Sequence, residues 1–430
     1  MTEHDITRQR TRGGDDGRSG PGPHPPTPSP SEGGGESSPP RHGEGSASPL
    51  PAPGRGAGGV RSQPSWQEKA RAFARARLRL YALRTAAGLL FLLLFWYSGA
   101  SAALFGAFDA LIPWWAATLV FLVAYQAITD LLFLPFSYHS GFRLQHRFGL
   151  SRQTLRAWLS DWVKSALIGA LFFVAGLEAL YLAVAALPDA WWWVLAVGLT
   201  AVALLLTYVA PVLLLPIFYK RSPLEDRELA ERIRSLAERA GARISRISVI
   251  DMSRRTVAAN AALTGIGRTR QVLLGDTMLQ QFTPDEVETV FAHELGHHVH
   301  GDIWKGLAAE VAGIWAGLYL LYAVVRPGLL QWGVGDIVAP GNLPLLLLLG
   351  EVAALLLMPL VNALSRRYEA EADAFAVRLS RKPAAYSDAL YRLAKQNLAE
   401  LWPPRWEELL LYTHPAIGRR MERVRELERG

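Results

Sequence analysis

Apolar residues in this chain gather in long continuous runs. Thr85 to Phe108, Leu111 to Phe136, Ala166 to Leu187, Trp191 to Phe218, Ile303 to Val325 and Pro344 to Leu364 carry only isolated charges, such as Asp130, Lys305 and Glu351. Each run is long enough, as a helix, to cross about 30 Å of hydrocarbon. About six transmembrane helices are therefore predicted. Between the fourth and fifth runs the pattern changes. Leu224 to Ala240 has helical spacing with abundant charge, and Ile244 to Met252 alternates and is rich in isoleucine and valine, as a strand would be. Val257 to Leu263 and Gln271 to Leu274 flank the turn-rich Thr264-Gly265-Ile266-Gly267-Arg268, which predicts a hairpin and with it a small β-sheet. Thr283-Pro284-Asp285-Glu286 reads as a helix start, with a capping Thr, a Pro at the first helical position and a Glu three residues after the cap. The expected fold is mainly α, a polytopic α-helical membrane protein with a small β-sheet in its one substantial soluble stretch.

Composition and charge locate these elements. Of the 430 residues 50% are hydrophobic and only 19% charged. Residues 1–65 are rich in Pro, Gly, Ser and charge and almost devoid of large apolar side chains, so they are expected to form a disordered tail. The first apolar run begins too far into the chain for a cleavable signal peptide. Residues 66–218 then read as an N-terminal membrane domain, a basic surface helix from Trp66 to Arg84 followed by four spans. Residues 219–430 read as a second domain that includes two further spans. Arg and Lys crowd the basic helix and the Ser137 to Lys164 loop, whereas the turns at Asp109 and Pro188-Asp189 lack them. Positive-inside bias thus puts that loop, the soluble stretch and both termini in the cytoplasm. The alanine- and arginine-rich composition and short turns suggest a bacterial inner membrane.

The net charge is +7. The basic residues lie beside apolar spans rather than among stacking aromatics, so the partner they imply is a lipid bilayer and not nucleic acid. The chain has no cysteine. Disulfides, thiolate metal sites and cysteine nucleophiles are thereby excluded, and His and carboxylates are left as metal ligands.

Phe291-Ala292-His293-Glu294-Leu295-Gly296-His297-His298 follows the predicted helix start. Residues four apart share a helical face, so His293 and His297 can turn their imidazoles toward one metal ion, with Glu294 beside them as the base that takes a proton from an attacking water. His298 and His300 lie off that face. Gly296 weakens the helix relative to Ala, and a closely approaching backbone is the simplest reason for it. A catalytic zinc needs a third protein ligand. Beyond the sixth run, Glu369 and Asp373 share a helical face, whereas Glu371 points elsewhere as a solvated charge. The candidates for the third ligand are a His or a carboxylate on the same side of the membrane.

His293-Glu294-Leu295-Gly296-His297, with Asn362-x-x-Ser365-Arg366-x-x-Glu369-x-x-x-Asp373 and with Tyr412-Thr413-His414-Pro415 and Arg419, resembles the integral-membrane zinc peptidases typified by the CAAX prenyl proteases and the HtpX heat-shock protease. Similarity also runs through Pro223-Leu224-Glu225-Asp226, Asn260-Ala261 and Leu273-Leu274-Gly275-Asp276-Thr277. The several spans before the soluble stretch, with Gln145-His146-Arg147-Phe148-Gly149-Leu150 in a basic loop, favour the CAAX branch. The resemblance implies a zincin-like metallopeptidase domain with one Zn2+ per chain. It implies Glu369 as the third ligand, Asp373 and Asn362 as residues that orient ligands, and His414 and Arg419 as catalytic groups that steady the oxyanion or hold substrate. Asn260 is implied in substrate binding. The implied activity is hydrolysis of peptide bonds in membrane-associated or prenylated substrates. An HtpX-like quality-control protease of misfolded membrane proteins is the alternative within enzymes. A catalytically silent membrane scaffold or transporter is the alternative of another class, and it has no need of the base, the ligands or the C-terminal His and Arg. CAAX-type members carry one more N-terminal span around an intramembrane chamber, where this chain has its basic helix and tail.

Overall fold

The computed structural model describes residues 65–265, 270–325 and 338–429. The expected disordered tail, and most of the turn after Gly265, lie outside the described residues. The membrane part begins with α1 (Trp66–Tyr97), α2 (Ala100–Asp109) and α3 (Trp114–Tyr138), which runs on through a π-helical turn into α4 (Leu144–Arg147). It continues with α5 (Leu155–Ala186), α6 (Trp191–Leu213) and α7 (Leu215–Phe218). Next come β1 (Arg221–Pro223), α8 (Arg227–Arg239), β2 (Arg246–Ile250), β3 (Ala261–Thr264), β4 (Gln271–Gly275) and α9 (Asp276–Leu279). The chain ends with α10 (Pro284–Val299), α11 (Asp302–Val325), α12 (Leu343–Ser380), α13 (Pro383–Gln396), α14 (Arg405–Leu411) and α15 (Ile417–Arg429).

Among the described residues, 6 helices are long and apolar enough to cross a membrane. The apolar runs foretold them, apart from differences in the first span and in α12. The basic segment is not a separate surface helix. It is the first half of α1, opened by a capping box between Ser65 and Glu68, and it continues directly into the first span. Protein contacts hold it there. Ala70 and Phe73 are buried against Leu144, Leu150 and Leu398, the Trp66 indole donates to Tyr391 Oη at 3.1 Å, and Arg71 pairs with Glu400 at 3.2 Å. The first apolar run also breaks at Gly99, whose φ of 73° is a left-handed conformation that suits glycine, and α2 is then too short to span.

The second difference is in α12. The sixth span does not end where its apolar run ends but continues without a break to Ser380, giving one helix of 38 residues and a length of roughly 57 Å. The membrane helix and the helix that carries Glu369 are the same element.

The soluble part is built on a 4-stranded sheet of order β1-β2-β4-β3. β2 and β4 are parallel, and the two outer strands are antiparallel to their neighbours. The predicted hairpin is present as β3 and β4, with Ala261 opposite Leu274 and Thr264 opposite Gln271. Its first strand begins later than the sequence suggested because Val257 and Ala259 are bonded elsewhere. The Val257 N–H donates to Leu150 O at 3.1 Å, and Ala259 exchanges bonds with the Asn397 side chain at 3.0 and 3.3 Å. Helix α8 turns an apolar face with Leu229, Ile233 and Leu236 into the core it shares with Val272, Leu274, Phe291 and Leu295. β3 is left at the sheet edge.

Candidate active site

Helix α10 starts at the predicted capping box. Thr283 Oγ1 accepts the Glu286 N–H at 3.3 Å and Glu286 Oε2 accepts the Thr283 N–H at 2.7 Å. Its N-terminal turns are fixed from both sides, since Glu288 accepts from Arg232 of α8 and from Lys382 after α12, each at 2.7 Å. Gly296 then lets α10 lie directly on α12. A Cβ on Gly296 would meet the Cα of Ala372 at 3.0 Å. The reason expected for that glycine is the one found.

The crossing brings three donors together. His293 Nε2 and His297 Nε2 are 3.2 Å apart, Glu369 Oε1 is 3.2 Å from His297 Nε2, and Glu369 Oε2 is 3.4 Å from His293 Nε2. The remaining ring nitrogens are held by carboxylates, as a bound metal requires of its histidines. His293 Nδ1 lies 3.0 Å from Asp373 Oδ1, and His297 Nδ1 lies 2.9 Å from Asp302 Oδ2. Carboxylates at both Nδ1 atoms favour the Nδ1–H tautomer, in which both Nε2 atoms turn their lone pairs toward the carboxylate of Glu369. Glu369 Oε2 is buried and accepts no hydrogen bond. Such a group of nitrogen and oxygen lone pairs calls for a cation. The cluster draws positive charge: burial opposes charge on His293, yet the nearby carboxylates of Asp373 and Glu369 outweigh burial and raise its pKa to about 9. His297 is raised as well, against burial, chiefly by Glu369. Two imidazole nitrogens and one carboxylate, with no thiolate, fit zinc.

Glu294 lines the same cavity, of about 490 Å³, together with Asn260, Ala261 and His414. Its carboxyl accepts the backbone N–H of Leu263 in the edge strand, and burial pushes its pKa up. His414 sits at the mouth, 59% exposed, with Nε2 3.1 Å from Glu369 Oε1. Asn260 reaches the cavity from the start of β3, and its carbonyl is occupied by the Gly275 N–H at 2.9 Å.

Two residues differ from the sequence reading. Arg419 does not face the cavity; its guanidinium bonds Glu408 at 2.6 and 2.5 Å and lies over the Trp402 ring. The neighbouring Arg420 turns inward instead, donating to Asp373 at 2.7 and 3.0 Å and to Tyr386 Oη at 3.1 Å. On a helix adjacent residues point about 100° apart, so a motif misread by one position selects the wrong face. Asn362 does not touch a ligand. Its amide donates to Leu410 O at 2.7 Å, and Arg366 donates to Tyr412 O at 2.7 Å, so both tie the chain ahead of His414 to α12. Asp373 is fully buried behind His293.

Three residues of the site went unpredicted. Tyr386 bonds Asp373 at 2.6 Å and lies 3.0 Å from His293 Nδ1, and it reaches the site from α13 with no local motif to announce it. Asp302 follows His297 closely in sequence and could have been noticed as the acid just beyond the helix end. Arg420 was hidden by its neighbour.

Comparison with known proteins agrees with this architecture. Residues 223–428 match Peptidase family M48, and residues 62–220 match the CAAX prenyl protease N-terminal region, described as five membrane helices. The "Uncharacterized metalloprotease YhfN" of Bacillus subtilis is 30% identical over 332 residues, 75% of this chain and 76% of that protein. The CAAX prenyl protease 1 of Saccharomyces cerevisiae is 30% identical over 331 residues, 71% of each chain. The crystal structure of S. mikatae Ste24p superposes with a TM-score of 0.76 at 25% identity, covering 84% of this chain and 89% of that one. With a histidine pair and a carboxylate assembled under an edge strand and matches along most of its length, the chain belongs to the M48 metalloproteases and carries the membrane region of the CAAX prenyl proteases.

Proposed function

We propose that this metalloprotease is a zinc-dependent endopeptidase of membrane-associated peptides, with prenylated C-termini among the candidates. His293, His297 and Glu369 would hold one zinc ion. The observation that carries the reading is the approach of the two Nε2 atoms and the two carboxylate oxygens of Glu369, with contacts of 3.2 to 3.4 Å, next to Glu294 and the edge strand. When bound, zinc supplies a Lewis acid that polarises the scissile carbonyl and acidifies water.

The chain's own groups do the rest. The outer edge of β3 aligns an extended substrate by main-chain hydrogen bonds. Glu294, its carboxyl raised by burial, accepts the proton of the attacking water and returns it to the leaving amine. His414 donates a hydrogen bond to the developing oxyanion. Asp373 and Asp302 keep the imidazoles in the tautomer with Nε2 unprotonated. Residues 66–218 serve as the membrane domain and residues 219–430 as the catalytic one. Positive-inside bias favours a site and termini on the cytoplasmic side of a bacterial inner membrane.

The test is metal content together with cleavage of a membrane-anchored reporter peptide, prenylated and unprenylated. Glu294→Gln should retain zinc and lose activity by roughly 100-fold or more, and His293→Ala should lose the metal. Full activity in purified Glu294→Gln would overturn the assignment of the base, and zinc-free wild type prepared with zinc present would overturn the metal centre.

A further inference from the structure

Ahead of β3 the main-chain groups are bonded one by one. Val257 donates its N–H to Leu150 O at 3.1 Å and its carbonyl accepts from Gln396 Nε2 at 2.5 Å, while the Ala258 carbonyl accepts from Thr277 Oγ1 at 2.7 Å. Ala259 is bonded twice to a single side chain. Its N–H donates to Asn397 Oδ1 at 3.0 Å and its carbonyl accepts from Asn397 Nδ2 at 3.3 Å. A side-chain amide offers a donor and an acceptor as a peptide group does, so Asn397 reproduces the pair of bonds that one residue of an antiparallel neighbour would make.

These bonds lie on the edge that β3 leaves open. Asn260 O accepts the Gly275 N–H at 2.9 Å and Ala261 stands opposite Leu274, so Asn260 and Gly275 continue the ladder between β3 and β4 by one rung. Main-chain groups alternate between the two sides of a strand, so Asn260 and Ala262 face β4 whereas Ala259, Ala261 and Leu263 face away from it. Asn397 takes both groups of Ala259, and Glu294 takes the N–H of Leu263. Ala261 is left between them to receive a substrate strand.

Asn397 is held in place by the packing around it. It closes α13, and Leu398 after it has a φ of 48°, a left-handed conformation that is unfavourable for a residue with a Cβ. Leu398 is buried with Ala70, Phe73, Leu144 and Leu150 of the membrane part. Strain of this kind persists where the surroundings over-determine the backbone, and it gathers at functional sites. Asn397 and Ala259 are both walls of the catalytic cavity.

We infer that Asn397 is a stop that ends the substrate-pairing edge at Ala261, a positioning residue that stands in for a strand at Ala259 and makes an extended substrate leave the edge there. The inference rests on the peptidase reading above and adds to it which stretch of the substrate is held by its main chain. A strand advances about 3.3 Å per residue, so without Asn397 the paired stretch would lengthen by two residues, roughly 7 Å. Leu150 and Gln396, bonded to Val257, would then limit it.

A membrane-anchored reporter peptide carrying one N-methyl amide at a time tests the stop on the full-length, zinc-loaded protein, because each methyl removes one main-chain donor. In wild type, methylation should lower kcat/KM roughly 5- to 10-fold at alternate amides over a short run around the scissile bond. In Asn397→Ala that run should gain one further sensitive amide, two residues beyond its wild-type end and on one side only, with zinc content unchanged. A loss of stability alone would scale all rates together and leave the set of sensitive amides as it is. The same set in both proteins overturns the stop. Should Asn397→Ala fail to fold, Asn397→Ser, whose shorter side chain also uncovers Ala259, gives the same comparison, and a wild-type set there overturns the stop equally. Wild type that cleaves the peptides with no sensitive amide refutes the strand pairing on which the stop depends. Zinc-loaded wild type that cleaves none of them, methylated or not, refutes the peptidase reading itself, and the stop falls with it.

Discussion

Gly296 and Ala372 meet backbone to backbone. A methyl on Gly296 would lie 3.0 Å from Ala372 Cα and 3.2 Å from its carbonyl oxygen. His293 and His297 flank Gly296 in sequence and Glu369 lies just ahead of Ala372, so the closeness of α10 and α12 is what closes the group of donors.

Gly296→Ala should therefore cost about 1–3 kcal/mol, the usual penalty for overfilling a packed contact, despite Ala being the better helix former. Zinc affinity should fall with it, because the histidines move away from Glu369. Thermal unfolding and metal titration of the purified variant check this. An unchanged midpoint with unchanged zinc affinity would mean that the helices can separate freely.

Tyr386→Phe removes only the hydroxyl that bonds Asp373 behind His293, and Asp302→Asn removes the charge behind His297. Each should weaken zinc binding by roughly 10- to 100-fold while leaving the fold intact. Competition with a chromogenic chelator measures it. Wild-type affinity in both variants would show that the ring orientations are fixed by packing alone.

The two adjacent arginines should separate cleanly. Arg420→Ala leaves the carboxylate of Asp373, 0% exposed, without its ion partner and should cost about 3–5 kcal/mol. Arg419→Ala loosens Glu408 and the segment that follows it, costing about 1.5–3 kcal/mol, and should leave zinc affinity alone. Equal losses of zinc affinity in the two variants would contradict the geometry.

Glu408 gives a pH signature. Burial opposes its ionisation, but the hydrogen bonds from Arg419 and from the Ala416 N–H outweigh it, so its folded pKa lies below the ordinary 4.5. A depressed carboxyl contributes its full stability above the unfolded value and loses it as pH falls through the folded one. Glu408→Gln should accordingly unfold at a lower temperature than wild type at pH 7, and the gap should close below pH 4.5. A gap that stays constant with pH would exclude this carboxylate as the source.

The parts of the molecule written in local pattern were legible in the sequence. Apolar runs gave the spans, the capping box gave the start of α10, and the spacing of His293 and His297 gave one face of a helix. The glycine between them even announced a close neighbour. What could not be read were choices made by distant packing. Nothing around Tyr386 marks it as a partner of His293, because the two are joined only by the fold. The basic segment of α1 looked destined for the membrane surface because its burial depends on Leu144, Leu150 and Leu398 far along the chain. Asn362 shares a motif with Glu369, yet the helix carries it two turns away, where it serves the chain leading to His414. The resemblance points to Arg419, and only the helical phase of α15 shows that its neighbour Arg420 is the one turned inward.

The uninterrupted course of α12 gives the metal site a mechanical connection to the bilayer. One end of this helix is held by lipid thickness and the other carries a ligand, with no loop between them to absorb movement. Its soft point is Pro359, which removes one rung of the hydrogen-bond ladder at bilayer depth. Glu369 lies about 15 Å beyond it. A change of ten degrees in bend there would swing the carboxylate by about 3 Å, nearly the full separation of the donor atoms. Hydrophobic thickness, which transmembrane helices meet by tilting or kinking, thus acts on the same unbroken helix that supplies Glu369, and the Gly296–Ala372 contact is what holds that helix against the two histidines.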